Sequence, residues 1–217
     1  MRVAATVARI HRREEGFTLV EMMIAVALLG VVLAIFLTTF AAVQTAASRE
    51  DQRSRNNDQA RLAVEELDRE IRSGNVLFDP AKENQGITSC AGCVAGYTLR
   101  VYTQSNYPTR GSVCRLWRIT DAGDLETRYW PALPPGSISG ATPWMTVASG
   151  IANAQAKPPV PAFSLEPTLE RTVDIFLLVN ADYTRHPEET VRIQVSVTGR
   201  NTAQLFPENV CLKVPSD

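Results

Sequence analysis

The most extended hydrophobic pattern of this chain is an uninterrupted apolar run near its N-terminus. No residue from Met22 to Ser48 is charged and none is a proline. A helix over this run measures about 40 Å, whereas the hydrocarbon of a bilayer is ~30 Å thick. The run therefore predicts a helix that can span a membrane. It is too long for an ordinary secretory signal, whose apolar region covers about 7–15 residues.

The positive charges beside the run predict the direction in which it crosses. Four arginines precede the run: Arg2, Arg9, Arg12 and Arg13. Because basic residues remain on the cytoplasmic side of a membrane, we expect a cytoplasmic N-terminus and export of everything after Arg49. A plain membrane anchor is sufficient to explain the length and the charges. Any more specific function therefore has to rest on another feature of the sequence.

After the apolar run the pattern stays helical but becomes amphipathic. Apolar residues recur at spacings of four, three and four between charged neighbours: Ala60, Val64, Leu67 and Ile71. This period predicts a helix with one face on a core. Glycine is favoured just beyond a helix end, so Ser73-Gly74-Asn75 is a stop signal. We therefore predict one helix from about Phe17 to Arg72.

The remainder of the chain predicts β-structure. Five segments are rich in β-branched and aromatic residues: Tyr97–Tyr102, Arg115–Thr120, Leu125–Trp130, Val173–Val179 and Val191–Thr198. Between the second and third of them, residues 121–124 have the Asp and Gly content of a hairpin turn. In the last segment the odd-numbered residues from Val191 to Val197 are expected to face the core, and the even-numbered residues from Arg192 to Thr198 to face water.

One stretch has no regular pattern. From Pro131 to Pro161 the chain contains seven prolines, which predicts a long irregular excursion. Together the patterns predict an α+β fold. A long N-terminal helix, transmembrane in its first half and amphipathic in its second, packs on an antiparallel β-sheet domain.

A short motif at the start of the apolar run carries the functional signal. The motif is Gly16-Phe17-Thr18-Leu19-Val20-Glu21, and it places the Glu21 carboxylate at the edge of the apolar run. An unpaired charge at bilayer depth costs about 2.5 kcal/mol or more, so Glu21 is expected to have a partner. A cut between Gly16 and Phe17 would create an α-amino group about one helical turn away, on the same chain or on a neighbour.

This motif resembles the N-terminus of type IV pilin and type II secretion pseudopilin precursors. Those precursors carry a short basic leader, a glycine, Phe-Thr-Leu-Ile/Val-Glu and a hydrophobic helix. The similarity covers about 30 residues and is specific, because a plain membrane anchor has little reason to place a glutamate at this position.

The resemblance implies roles for three residues. Gly16 is the last leader residue, Phe17 is N-methylated after cleavage by a prepilin peptidase, and Glu21 registers each new subunit in the filament. Implied partners are that peptidase, an inner-membrane assembly platform with its ATPase, and other minor and major pilins or pseudopilins. The protein is expected in the inner membrane, with its C-terminal domain exported, and later in a pilus or pseudopilus.

The resemblance also divides the chain and narrows the family. Many major pilins have a helix-bending proline about twenty residues into the mature helix, but no proline occurs between Phe17 and Phe78. This difference and the longer chain favour a large minor pilin or a J-type pseudopilin, which initiates or caps the filament. The implied parts are a leader (1–16), a transmembrane and filament-core helix (17–48), its amphipathic continuation (49–74) and an exported β-rich domain (75–217).

The four cysteines all lie on the exported side of the predicted membrane helix. They are Cys90, Cys93, Cys114 and Cys211. Two structural disulfides are favoured in an oxidising compartment, and three connectivities are open. Loop lengths slightly favour Cys93–Cys114 with Cys90–Cys211 over Cys90–Cys93 with Cys114–Cys211. A zinc site is disfavoured, because the two distant cysteines form no second ligand pair.

A function of a different class is a membrane-anchored, exported thiol–disulfide oxidoreductase that uses Cys90 and Cys93. A thioredoxin-like site needs its first cysteine at a helix N-terminus after a strand. The sequence around Cys90 and Cys93 instead has the glycines of a loop. The mature N-terminus separates the two functions, since a methylated phenylalanine indicates a pilin and an intact Met1 an anchor.

The chain has few residues that could serve in catalysis, metal binding or nucleotide binding. One of the two histidines, His11, lies in the leader, and His186 lies in a polar turn where a solvated role is favoured. Asp121, Asp124 and Glu126 lack the spacing of an EF-hand, so turn capping is favoured over calcium binding. No Walker loop is present, and the net charge of -1 does not favour a nucleic-acid partner. We therefore expect a non-enzymatic protein without cofactor or metal.

Overall fold

The computed structural model describes residues 16–85, 90, 92–103, 112–132, 140–168, 170–200, 210–211 and 214. The predicted leader, apart from Gly16, lies outside these residues, as do His11 and positions 133–139 of the proline-rich stretch. Packing divides the chain into two units, residues 1–49 and 50–217.

One helix, α1, runs from Leu19 to Ser73 over 55 residues. It begins two residues after the predicted start and ends one residue after the predicted end, so the prediction of a single helix is confirmed. By length and composition α1 is able to cross a membrane. Its apolar residues from Leu19 to Val43 are exposed within the chain.

The second unit contains two antiparallel sheets. The first has five strands in the order β1 (Gly74–Leu77), β2 (Thr98–Thr103), β3 (Val113–Ile119), β4 (Leu125–Pro131) and β5 (Met145–Ala148). The second has three strands in the order β6 (Phe163–Leu165), β7 (Thr172–Val179) and β8 (Val191–Thr198). Two short 3₁₀ helices lie at Pro80–Lys82 and Pro187–Glu189.

The five predicted strands correspond to β2, β3, β4, β7 and β8, which confirms the α+β class. Three short strands were not predicted: β1, β5 and β6. The prediction of an irregular excursion from Pro131 to Pro161 is wrong at β5, where residues 145–148 pair with β4. A strand this short has too few residues to show an alternating pattern, and it forms because β4 offers it backbone partners.

The apolar face of the second half of α1, formed by Ala60, Val64, Leu67 and Ile71, is one side of the core of the second unit. Leu67 and Ile71 are fully buried, and they pack with residues from both sheets, such as Trp117 and Ile175. Losing a buried Leu or Ile side chain typically costs about 2–5 kcal/mol. The second half of α1 is therefore held on the sheets chiefly by apolar burial.

The predicted hairpin and the predicted alternation of the last strand are both confirmed. β3 and β4 are joined by a turn in which Gly123 has a φ of +87°. A Cβ at this glycine would lie 2.8 Å from the carbonyl oxygen of Ile151, so the turn requires glycine. In β8 the residues from Val191 to Val197 alternate with exposed polar residues, and Val197 is fully buried.

Candidate functional site

The motif residues lie where the chain enters its long helix. Gly16, Phe17 and Thr18 are not helical, and α1 begins at Leu19. The Phe17 side chain is 80% exposed. The Gly16–Phe17 peptide bond is therefore in irregular backbone, two residues before the first helical residue.

Thr18 caps the N-terminus of α1. The backbone N–H of Glu21 donates to the Thr18 side-chain Oγ1 at 3.2 Å, and the N–H of Met22 donates to the Thr18 carbonyl oxygen at 3.2 Å. In return the Thr18 N–H reaches the Glu21 carboxylate at 3.5 Å. This reciprocal arrangement is a capping box, in which two otherwise unpaired amides gain acceptors.

The capping role of Thr18 was missing from the sequence analysis. Its signal was present, because Thr18-Leu19-Val20-Glu21 matches the Ser/Thr-x-x-Glu pattern of a capping box before an apolar run. The position of Glu21 thus has a local explanation as well as the one that the family resemblance implies.

The Glu21 carboxylate faces the segment that precedes the helix. It contacts the amide of Thr18, which is one residue beyond the Phe17 nitrogen. An anionic group is also favoured at a helix N-terminus, where the helix dipole is positive. An ammonium group on Phe17 would therefore appear beside a carboxylate that already lies on that side of the helix.

The first half of α1 has an apolar surface on all its faces. Exposed residues include Leu19, Ile24, Val32 and Phe36, each of which is more than half accessible. An apolar surface of this extent marks contact with a membrane or with other proteins.

The cysteines form two disulfides, Cys90–Cys93 and Cys114–Cys211, with Cα–Cα distances of 5.3 and 5.5 Å. The slightly favoured pairing, Cys93–Cys114 with Cys90–Cys211, is therefore wrong in this structure. Loop length alone was a poor guide, because the position of Cys211 against β3 selects its partner. Cys114 lies in the middle of the five-stranded sheet and is 1% exposed.

A buried ion pair contacts the backbone of Cys211, which belongs to the second disulfide. The Arg100 guanidinium donates to both carboxylate oxygens of Glu83 at 3.0 and 2.7 Å, and to the Cys211 carbonyl oxygen at 2.7 Å. Both charged side chains are almost fully buried. Removing one partner of such a pair would leave an uncompensated buried charge, which typically costs about 3–5 kcal/mol.

The geometry around Cys90 and Cys93 differs from that of a thiol oxidoreductase. Both residues are buried, with 8% and 3% exposure, and no helix within the described residues begins at either of them. A reactive cysteine needs a partly exposed sulfur in an electropositive site. The two disulfides instead pack in one apolar cluster with Tyr102, Leu116 and Trp130.

Three of the remaining candidate ligands have protein partners: Asp124, Glu126 and His186. Asp124 accepts a hydrogen bond from Ser149 at 2.7 Å, and Glu126 pairs with Arg118 at 2.8 Å. His186 is the residue before the short 3₁₀ helix Pro187–Glu189, and its Nδ1 lies 3.3 Å from the Glu188 carboxylate. A backbone hydrogen bond, and secondarily the bond to His186, lowers the pKa of the Glu188 carboxyl.

The comparisons with known proteins point to the motif alone. The family model described as the prokaryotic N-terminal methylation motif matches residues 11–37, a range that includes Gly16, Phe17 and Glu21. Searches of curated proteins and of solved structures gave no match. The motif implies processing by a prepilin peptidase and partners in pilus assembly, and with the apolar helix it indicates a membrane-anchored, exported pilin. Over these residues the chain carries the N-terminal motif of type IV pilin and type II secretion pseudopilin precursors.

Proposed function

We propose that this protein is a non-enzymatic minor pilin or pseudopilin, a structural subunit that helps to initiate or cap a filament. The observation that carries the proposal is the methylation motif at the entry to a helix whose first half is exposed and apolar. The large exported domain supports the minor-subunit role, since it adds two sheets and two disulfides to the common helix.

The proposal assigns a role to each motif residue. Gly16 is the last residue of the leader, Phe17 is the methylated N-terminus of the mature protein, and Glu21 pairs with the Phe17 ammonium of its own chain or of a neighbouring subunit. The Glu21–Thr18 contact supports this assignment, because it holds the carboxylate on the side of Phe17.

The apolar surface of residues 17–48 serves two environments in turn. It contacts lipid while the subunit waits in the inner membrane, and it packs on the same segment of other subunits in the filament. The free-energy cost of removing the helix from the bilayer is offset by apolar burial in that bundle, which contributes about 25 cal/mol per Å² of surface covered. Energy for extraction is supplied by the assembly platform and its ATPase.

The unbroken helix supports a minor rather than a major subunit. α1 continues for 55 residues without a proline, so it lacks the bend expected of many major pilins. We assign residues 49–74 to the amphipathic continuation of the helix, whose buried residues begin at Ala60, and residues 75–217 to the exported domain. The closest functional class is a large minor pilin or a J-type pseudopilin.

The mature N-terminus tests the proposed function directly. We expect intact-mass analysis of the protein from membrane and filament fractions to show a chain that begins with N-methylated Phe17. A chain that keeps residues 1–16 in cells with an active prepilin peptidase would contradict the proposal and favour a plain anchor.

Changing Glu21 to alanine is expected to separate processing from assembly. The variant keeps the backbone N–H that Thr18 caps, so we expect normal cleavage, and insertion into the membrane should become easier. It loses the partner of the Phe17 ammonium, so we expect it to be nearly absent from sheared filaments. Quantitative immunoblots of membrane and filament fractions measure both steps.

Glu65→Ala is the matched control, because Glu65 is an exposed glutamate of the same helix. It should enter filaments like the parent. Parental amounts of the Glu21 variant in filaments would remove the main argument for the role of Glu21.

A further inference from the structure

The cleavage site and the helix cap are adjacent in this structure. The Gly16–Phe17 bond ends at the residue before Thr18, and Thr18 is the last non-helical residue before α1. The helix thus begins directly after the segment that a peptidase must bind.

The conformation of this segment decides whether it can be hydrolysed. Hydrolysis adds water across the Gly16–Phe17 peptide bond, which leaves a carboxylate on Gly16 and an ammonium on Phe17. In a helix the peptide groups are held in the helical hydrogen-bond ladder, whereas proteolysis concentrates in segments that are open. When opening is fast, the cleavage rate follows the population of the open form.

The Thr18 hydroxyl favours the open form of this segment. It accepts from the backbone N–H of Glu21, so this amide is satisfied without any helical residue before Leu19. If the hydroxyl were absent, this amide could gain an acceptor if the helix extended backwards, and the Phe17 carbonyl oxygen is the group that lies four residues before it. Extension would make residue 18 the first helical residue and Phe17 the N-cap, so the helix would begin directly beside the Gly16–Phe17 bond and would engage the Phe17 carbonyl oxygen.

We propose that Thr18 is a positioning residue for leader removal, and that its cap stops the helix short of the cleaved bond in the precursor. This inference rests on the proposed function, because it assumes that Gly16–Phe17 is the bond that is cut. Thr18 acts through the conformation of the substrate backbone, not by contact with the reacting atoms.

The test uses the full-length precursor in detergent micelles with a purified prepilin peptidase, and it follows initial cleavage rates by intact mass. Thr18→Val removes the hydroxyl and keeps the branched shape. Thr18→Ser and Thr18→Asn change the shape but keep a capping oxygen. We expect the Val variant to be cut about 2- to 30-fold more slowly than the parent. The Ser and Asn variants should stay within about twofold of it.

A second measurement reports the conformation itself. With the uncut precursor uniformly ¹³C-labelled, the Cα secondary shift of residue 18 should move to the helical range in Thr18→Val and remain non-helical, as in the parent, in Thr18→Ser. This readout needs no peptidase, so it is independent of any contact between the enzyme and residue 18.

The outcomes distinguish this inference from the proposed function. If the parent precursor is not cut after Gly16, the proposed function fails. If the parent is cut and Thr18→Val is cut equally fast, the cap has no positioning role. Equal slowing of the Val, Ser and Asn variants would also overturn the inference, because the enzyme would then be recognising the threonine side chain itself.

Discussion

Replacing Gly16 by isoleucine is expected to leave the full-length precursor in the membrane, with almost no mature chain. Gly16 is the only glycine that precedes the apolar run. A peptidase site adapted to glycine has no space for a β-branched side chain, so the leader should not be removed. Intact-mass analysis of membrane fractions distinguishes the precursor from a chain that begins at Phe17.

The structure makes this substitution informative, because the chain itself tolerates it. A Cβ at Gly16 would meet no atom within 4 Å, and the same is true of Gly30 in the middle of the apolar helix. Gly30→Ile is therefore a matched control, which should be inserted and cut like the parent. If Gly16→Ile also matures to Phe17, the assignment of the leader is wrong.

The long helix could be predicted from sequence because its signals are local. An apolar run without proline, a stripe of period 3.6 and a glycine at position 74 are each visible within a short window. The observed helix agrees with them to within two residues at both ends. The same holds for β8, whose alternation in sequence matches its alternation in burial.

The division of the strands into two sheets, and the short strands, could not be predicted in this way. β1, β5 and β6 are three or four residues long, and each exists because a longer neighbour offers it backbone partners. One observed pair shows the point: residues 163–165 form a strand by pairing with Val173 to Ile175 of β7. Such pairings are contacts between distant segments, and the local pattern carries little information about them.

The candidate site was predicted in part. The motif indicated Gly16, Phe17 and Glu21, and the family match covers the same residues. The cap on α1 was not predicted, although its Thr-x-x-Glu pattern is local. The buried pair of Arg100 with Glu83 had no sequence signal, since charged residues are usually exposed and only the fold brings these two together.

The two disulfides are expected to contribute very differently to stability. In the loop-entropy account a cross-link stabilises by restricting the unfolded chain, and the effect grows with loop length. Cys90 and Cys93 are separated by 3 positions, and Cys114 and Cys211 by 97. The expected contributions are about 2 kcal/mol for the short loop and about 4–5 kcal/mol for the long one.

Two double variants measure this difference. Cys90→Ala/Cys93→Ala and Cys114→Ala/Cys211→Ala remove the same number of sulfur atoms, so each serves as a control for the other. All three tryptophans, Trp117, Trp130 and Trp144, lie in the unit formed by residues 50–217, and the first two are buried. Their fluorescence during guanidinium unfolding of the detergent-solubilised protein, without reductant, reports the free energy of unfolding of that domain.

We expect the loss of Cys114–Cys211 to lower the free energy of unfolding by about 4–5 kcal/mol, at least twice the loss caused by removing Cys90–Cys93. Release of Cys211 also frees the carbonyl oxygen that Arg100 binds, so a buried donor loses a partner in the same step. Peptide mapping after alkylation without reductant should recover no modified cysteine from the parent. A peptide that links Cys93 to Cys114, or equal destabilisation by the two double variants, would contradict the observed pairing or its energetic consequence.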